Sequence, residues 1–336
     1  MVHDLLTGDG TSRPRRWRSK LGILVTIAAS LAIAAPGVAS AAKYHVPYGN
    51  EALTEFFGRE LLAPTYVVGA NNGCKPSTAH PYPIVLVHGT GANEGSTWVS
   101  IAPLLANEGY CVYTFNYGAD TVSLGFLDGI NHITKSAEEL SSFVNTVLSE
   151  TKASKVDLVG HSQGGMMPNY YIHFLGGASK VNELIGLAPS NHGSTLDGLT
   201  GLLTFLKEVP GVGLVIDGLE GSLETLAPAF PEQEENSAFM KKLFGSGEPL
   251  SPSVRYVVIE SSHDEIVTPY TNAFLHAGST GASVTNILIQ EQCPSDPVGH
   301  IGMIWDSPVL QNILNQLGAS PNPSFKATCT NYGLDL

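Results

Sequence analysis

Apolar residues along this chain fall into short runs separated by stretches of a different period. Pro83-Ile84-Val85-Leu86-Val87, Tyr110 to Asn116, Lys155 to Val159, Val181 to Leu187, Val254 to Ile259 and Val284 to Ile289 are dense in apolar and β-branched side chains. Unbroken apolar runs of this length suit strands buried on both faces. Between them the spacing turns helical. Residues 136–150 place Ala137, Leu140, Phe143, Val144, Val147 and Leu148 on one side, with Glu138, Glu139 and Ser141 on the other. Helical patterns recur in Trp98–Asn107, Met166–Leu175 and Pro308–Leu317. Strands alternating with helices predict an α/β fold: a mostly parallel sheet with helices on both faces. No internal repeat or linker divides the chain after its first 41 residues, so residues 42–336 read as a single domain.

One segment breaks the alternation. Residues 194–246 show no convincing strand, yet they carry Leu196, Leu199, Leu202, Leu203, Phe205, Leu206, Val209, Val212, Leu214, Val215 and Ile216 among repeated glycines. Such a stretch is too apolar for a solvated loop and must cover something. Two readings stand: an apolar helical cap over a substrate pocket, or a packed helical layer with no substrate role. The cap is favoured because pockets in open α/β sheets sit at the strand carboxyl ends, where such insertions occur.

The N-terminus has its own pattern. Residues 13–20, RPRRWRSK, hold five positive charges, and residues 21–35, LGILVTIAASLAIAA, hold none. Pro36-Gly37 ends the run, and Ala39-Ser40-Ala41 is a small-x-small cleavage site. Together these describe a cleavable secretory signal peptide over residues 1–41, with the mature chain starting near Ala42. The alternative, an uncleaved anchor, needs about 20 apolar residues, and this run has 15. No later run reaches spanning length. Arg15-Arg16 also raises twin-arginine export, but Arg18 replaces the usual apolar residue after the pair, which favours the general route.

Composition sharpens this. Charged residues make up only 14% of the chain, against roughly 25% in an average soluble protein. The formal net charge is −13. Loss of Arg13, Arg15, Arg16, Arg18 and Lys20 with Asp4 and Asp9 leaves 12 basic against 28 acidic residues, a net charge of −16. An acidic chain repels phosphate backbones, so no nucleic-acid partner is expected. The four cysteines include no C-x-x-C pair, which removes zinc-ribbon and thioredoxin readings. After export they meet an oxidising compartment. The expected pairs are Cys74–Cys111 and Cys293–Cys329, because each brackets one strand or helix and ties a loose segment to the core. Free buried thiols are the alternative.

The chemistry is concentrated in Gly160-His161-Ser162-Gln163-Gly164, a G-x-S-x-G placed directly after a strand and before a helix. A nucleophilic serine needs a sharp strand-to-helix turn that lifts its hydroxyl clear of the backbone. Glycines on either side fit a turn too tight for side chains, and the following helix aims amides at developing negative charge. The competing reading is a tight structural turn. Serine also needs a base oriented by an acid, in the chain order Ser, acid, His. Asp264, in SSHDEIVTP just past the Val254–Ile259 run, is the expected acid. Its competitors are Glu260, expected to point elsewhere, Glu265, expected to be a solvated turn residue, and His263. The expected base is His300, in VGHIGM before the last helix. His132 and His173 fall on expected helices, and His192 precedes the acid in the chain. The oxyanion donors expected are the amides of Gln163, after the nucleophile, and Thr90, in the His88-Gly89-Thr90-Gly91 turn after the first strand.

These residues carry a resemblance. HGTGAN (88–93), GHSQGG (160–165), LAPSNHGST (187–195), DEIVTPY (264–270) and GHIGM (299–303) resemble, in order, the secreted class 2 lipases of actinobacteria within the α/β-hydrolase fold. The resemblance runs from about Pro83 to the C-terminus. It implies Ser162, Asp264 and His300 as triad, Thr90 and Gln163 as oxyanion hole, two disulfides, and hydrolysis of carboxylic esters, often acylglycerols. Gly299 stands where Asp is frequent before the last histidine.

The expected mechanism is two-step acyl transfer with no metal and no cofactor. The expected partner is a lipid or ester substrate, met at a lipid–water interface, with no obligate protein partner evident. The rivals are a short-chain or polyester-degrading, cutinase-like esterase, an acyltransferase, and an inactive secreted binding protein on a hydrolase scaffold.

Overall fold

The computed structural model describes residues 43–119, 127–209, 212–219 and 222–335. The expected leader, residues 1–41, lies outside the described residues. The described residues from Lys43 onward belong to one compact unit.

Six strands form one sheet: β1 Ile84–Val87, β2 Val112–Thr114, β3 Val156–His161, β4 Val181–Leu187, β5 Arg255–Glu260 and β6 Ser283–Leu288. Their order is β2-β1-β3-β4-β5-β6, and every neighbouring pair is parallel. Each apolar run of the sequence supplies one strand. Because side chains alternate across a strand, β1 sends Val85 and Val87 to one face and Ile84 and Leu86 to the other. The first face packs on the helices Ile133–Thr151 and Gln163–Phe174, and the second on Ile101–Asn107 and Ser307–Leu317. The last helix starts where Asp306 accepts from Val309 N at 2.9 Å, with Pro308 in its first turn. His132 precedes the 133–151 helix rather than sitting on it, and it meets Glu232 at 2.7 Å.

Two features depart from expectation. The last strand is not buried on both faces: Ser283, Thr285 and Asn286 of β6 are exposed. It is a sheet edge, and its polar residues suit one. The other edge, β2, is covered: Asn71 N donates to Val112 O, and Asn71 Oδ1 accepts from Thr114 N. The second departure is an unforeseen helix, Gly49–Leu62, whose Ala52 and Phe56 enter the core.

The described residues of 194–246 include five short helices, Leu196–Glu208, Gly213–Leu219, Leu223–Leu226, Ala229–Glu232 and Ala238–Phe244. Leu202, Leu206, Val209, Val212, Ile216 and Phe230 cluster with Ile130 and Ile266. Both expected disulfides are present, Cys74–Cys111 and Cys293–Cys329. Each closes a loop of about 36 residues, a length at which a cross-link stabilises by roughly 3–4 kcal/mol. Among the described residues, no helix is long and apolar enough to cross a membrane.

Candidate active site

Strand β3 runs straight into the site. Ser162 follows it with φ 55° and ψ −126°, and its N–H donates to Leu187 O of β4 at 2.9 Å. A left-handed φ at a non-glycine residue costs roughly 1–3 kcal/mol and persists only where its surroundings impose it. The surroundings are the glycines. A Cβ on Gly160 would lie 1.8 Å from Gly164 O. A Cβ on Gly164 would lie 2.0 Å from Val87 O and 2.2 Å from His88 O. Those are backbone atoms at the start of the 163–174 helix and at the end of β1, which cannot step aside. Gly164→Ala is therefore expected to lose more than about 3 kcal/mol, read by thermal unfolding. Gly58→Ala, in the 49–62 helix with no atom near its added methyl, is the contrast and should gain about 0.5–1 kcal/mol. Equal tolerance of the two changes would refute the packing argument.

Asp264 and His300, the expected acid and base, come from the loops after β5 and β6. His300 Nδ1 and Asp264 Oδ2 lie 2.8 Å apart, both side chains fully buried. Asp264 Oδ1 accepts from Ile266 N at 2.8 Å and Val267 N at 2.7 Å. With the carboxylate serving as acceptor throughout, His300 carries its proton on Nδ1. Its Nε2 is buried without a hydrogen-bond partner. Burial works against the imidazolium, but the carboxylates of Asp264 and Glu265 outweigh it and raise the His300 pKa above 6.5. Ser162 and His300 line one cavity, but they are not hydrogen bonded to each other in this structure. Such contacts often tighten only when substrate binds.

The competing acids sit closer than expected. Glu260 does not point away: it is fully buried, its Oε1 accepts from Ser261 N at 2.7 Å, and burial and the Asp264 carboxylate push its pKa well above the usual range. It stands behind Asp264 as a group favoured in its neutral form. Glu265 is exposed in part, but its Oε2 accepts from His300 N at 3.1 Å, so it is more than a solvated turn residue. His192 is engaged elsewhere, by Asn272 O and Glu248.

Thr90 lies in the cavity wall beside Ser162, and Gln163 opens the following helix, where its N–H has no partner within that helix. Three supports were not visible in the sequence. Gln233 donates to Thr90 Oγ1 at 2.7 Å and accepts from Ser190 Oγ at 2.9 Å. Gln163 Nε2 donates to Gly129 O at 2.7 Å. His161 lies 3.0 Å by its Nε2 from His300 O, and burial and the neighbouring His300 hold its pKa well below 6.5, so the neutral ring donates there. Apart from Gly89 and Thr97, the rest of the cavity wall is apolar: Phe56, Ala92, Leu202, Phe205, Leu206, Ile301 and Ile304. Only about 20 Å³ is free inside it, room for a water and not for an acyl chain. Among the described residues, no group of three or more His, Cys, Asp or Glu is placed to hold a metal ion.

The family model for class 2 lipases matches residues 81–291. Triacylglycerol lipases of Pseudarthrobacter phenanthrenivorans and Burkholderia plantarii are each 38% identical over 96 residues, 26% of this chain. The match spans only about a quarter of those relatives, 27% and 24%. The crystal structure of Aspergillus fumigatus lipase B superposes with a TM-score of 0.56 at 20% identity, over 80% of this chain and 56% of that one. That likeness shows a shared fold, the α/β-hydrolase fold. With well over half of its length matched by the family model, this chain belongs to the class 2 lipase family.

Proposed function

We propose that the protein is a secreted serine hydrolase that cleaves carboxylic esters of lipids, acylglycerols included. One observation carries the reading: Ser162, held at a left-handed turn, shares an apolar cavity with a histidine fixed by a buried aspartate. The disulfides and the leader pattern support export.

In this mechanism His300 Nε2 takes the proton of the Ser162 hydroxyl as its oxygen attacks the ester carbonyl carbon. Asp264 holds the tautomer and stabilises the imidazolium. The amides of Thr90 and Gln163 receive the negative oxygen. His300 then gives its proton to the leaving alcohol. Water, activated the same way, releases the carboxylic acid and restores Ser162. The filled cavity adds that the Leu196–Glu208 helix, which places Leu202, Phe205 and Leu206 over the serine, must shift to admit a substrate.

The test is a series of p-nitrophenyl esters from acetate to oleate, below and above their solubility limits. Turnover of long-chain esters supports the reading; turnover of short ones alone gives a short-chain esterase, and no turnover overturns it. The same assay carries a pH prediction. The base must be neutral, and its pKa is raised above 6.5. The acid limb of kcat/KM is therefore expected to have its midpoint above pH 6.5, with activity lost as pH falls. Stability runs the other way: the raised pKa favours the fold fully below the unfolded value, and that contribution disappears as pH rises through the folded one. A midpoint below 6.5 would contradict the Asp264–His300 pairing.

A further inference from the structure

The family match begins at residue 81, and the Gly49–Leu62 helix precedes it, yet this helix puts a side chain into the cavity over the serine. Phe56 is 3% exposed and lines that cavity with Thr90, Ser162 and His300. Its ring meets Trp305 edge-on at 5.8 Å and Phe205 of the 196–208 helix at 6.3 Å.

The two Phe rings differ in how firmly they are held. The 49–62 helix and its flanks are pinned to the core around the Thr90 loop. Asn93 Nδ2 donates to Glu60 O at 3.0 Å, Gly95 N and Asn116 Nδ2 each donate to Pro64 O at 3.1 Å, and Ser100 Oγ donates to Pro47 O at 2.8 Å. A Cβ on Gly95 would lie 2.1 Å from Ala63 O, so loop and helix end are in the closest possible contact. Phe205, by contrast, belongs to the cap and is only partly buried. Whatever shift of the cap admits a substrate, Phe56 stays.

We infer that Phe56 is a specificity-determining residue that bounds the acyl side of the substrate channel. The inference rests on the ester-hydrolase reading above. The acyl half is assigned on chemical grounds: the acyl group stays bonded to Ser162 through both steps and needs an enclosed apolar wall, whereas the alcohol must leave after the first. A fixed aromatic wall rejects chains that outgrow the space in front of it, and pocket size discriminates between homologous chains by roughly 10–200-fold.

The experiment compares wild type, Phe56→Ala, Phe56→Leu and Phe57→Ala on two ester series. One varies the acyl chain on p-nitrophenol, and the other varies the alcohol on a fixed acetyl group. Phe57 stacks on Phe205 at 6.3 Å but is not in the cavity wall, so it controls for loosened aromatic packing. Phe56→Ala is expected to raise the ratio of long-chain to acetyl kcat/KM by about tenfold or more. Phe56→Leu, which keeps most of the volume if the alanine variant fails to fold, should move the ratio the same way by less. Phe57→Ala should leave it unchanged. An unchanged ratio in both Phe56 variants, a shift confined to the alcohol series, or an equal shift in Phe57→Ala overturns the inference. A wild-type protein that hydrolyses none of the esters overturns the underlying reading instead.

Discussion

Ser162→Ala is expected to reduce ester hydrolysis by about 10⁵-fold or more while leaving the fold intact. The size follows from what is removed. The proposed chemistry forms a covalent bond through this one oxygen, and the other hydroxyls on the cavity wall, those of Thr90 and Thr97, are hydrogen bonded to Gln233 and to Asn93 O. The oxyanion amides remain in the variant, so a small residual rate over water is expected rather than none. The backbone supplies a second readout. Alanine at 162 keeps the left-handed φ of 55°, so thermal stability should stay near that of the wild type. Ser162→Gly should be as inactive but more stable by about 1 kcal/mol, because glycine accepts that φ without strain while losing some chain entropy on folding. Activity and thermal midpoint measured together on both variants separate loss of the nucleophile from loss of the fold. Activity above a few per cent of wild type in Ser162→Ala would move the nucleophile elsewhere.

Much of this site was readable along the chain because its signals are local. A strand, Gly160, Ser162, Gly164 and a helix follow one another within one stretch of sequence; the clash that demands Gly160 lies four residues away at Gly164, whereas the one that demands Gly164 lies far back in the chain, at Val87 and His88. The strand centres were readable for a similar reason: a run such as Ile84–Val87 needs no partner to be recognised. What escaped is tertiary. Periodicity does not say whether a strand lies inside a sheet or at its edge, so Val284–Ile289 looked buried on both faces. The Gly49–Leu62 helix lies ahead of the strand–helix alternation, and Phe56 acquires its role only against Phe205 and Trp305, far along the chain. Gln233 reaches Thr90 across 143 positions. Glu260 and Asp264 are four residues apart, and only the turn after β5 decides that one backs the other.

Asp264→Asn tests the orientation of the base and is expected to lower kcat/KM by about 10⁴-fold. The reasoning starts at the acid's other oxygen. Oδ1 accepts from two backbone amides, Ile266 N and Val267 N. An asparagine in this place must turn its carbonyl oxygen toward those fixed donors, since its NH₂ cannot accept from them. That leaves the NH₂ facing His300 Nδ1, where Oδ2 now sits at 2.8 Å. Two donors cannot face each other, so the imidazole must expose a lone pair at Nδ1 and carry its proton on Nε2. That proton sits on the nitrogen that has to receive the one from Ser162. The ring stays in place and the volume hardly changes, so the variant should fold, yet the base is spent before the reaction begins. Loss of the carboxylate also removes the main attraction that lifts the His300 pKa, so burial should then draw that pKa downward, and the acid limb of any residual activity should move to lower pH. Activity within tenfold of wild type, or an acid limb that stays where it was, would show that Asp264 does not orient the base.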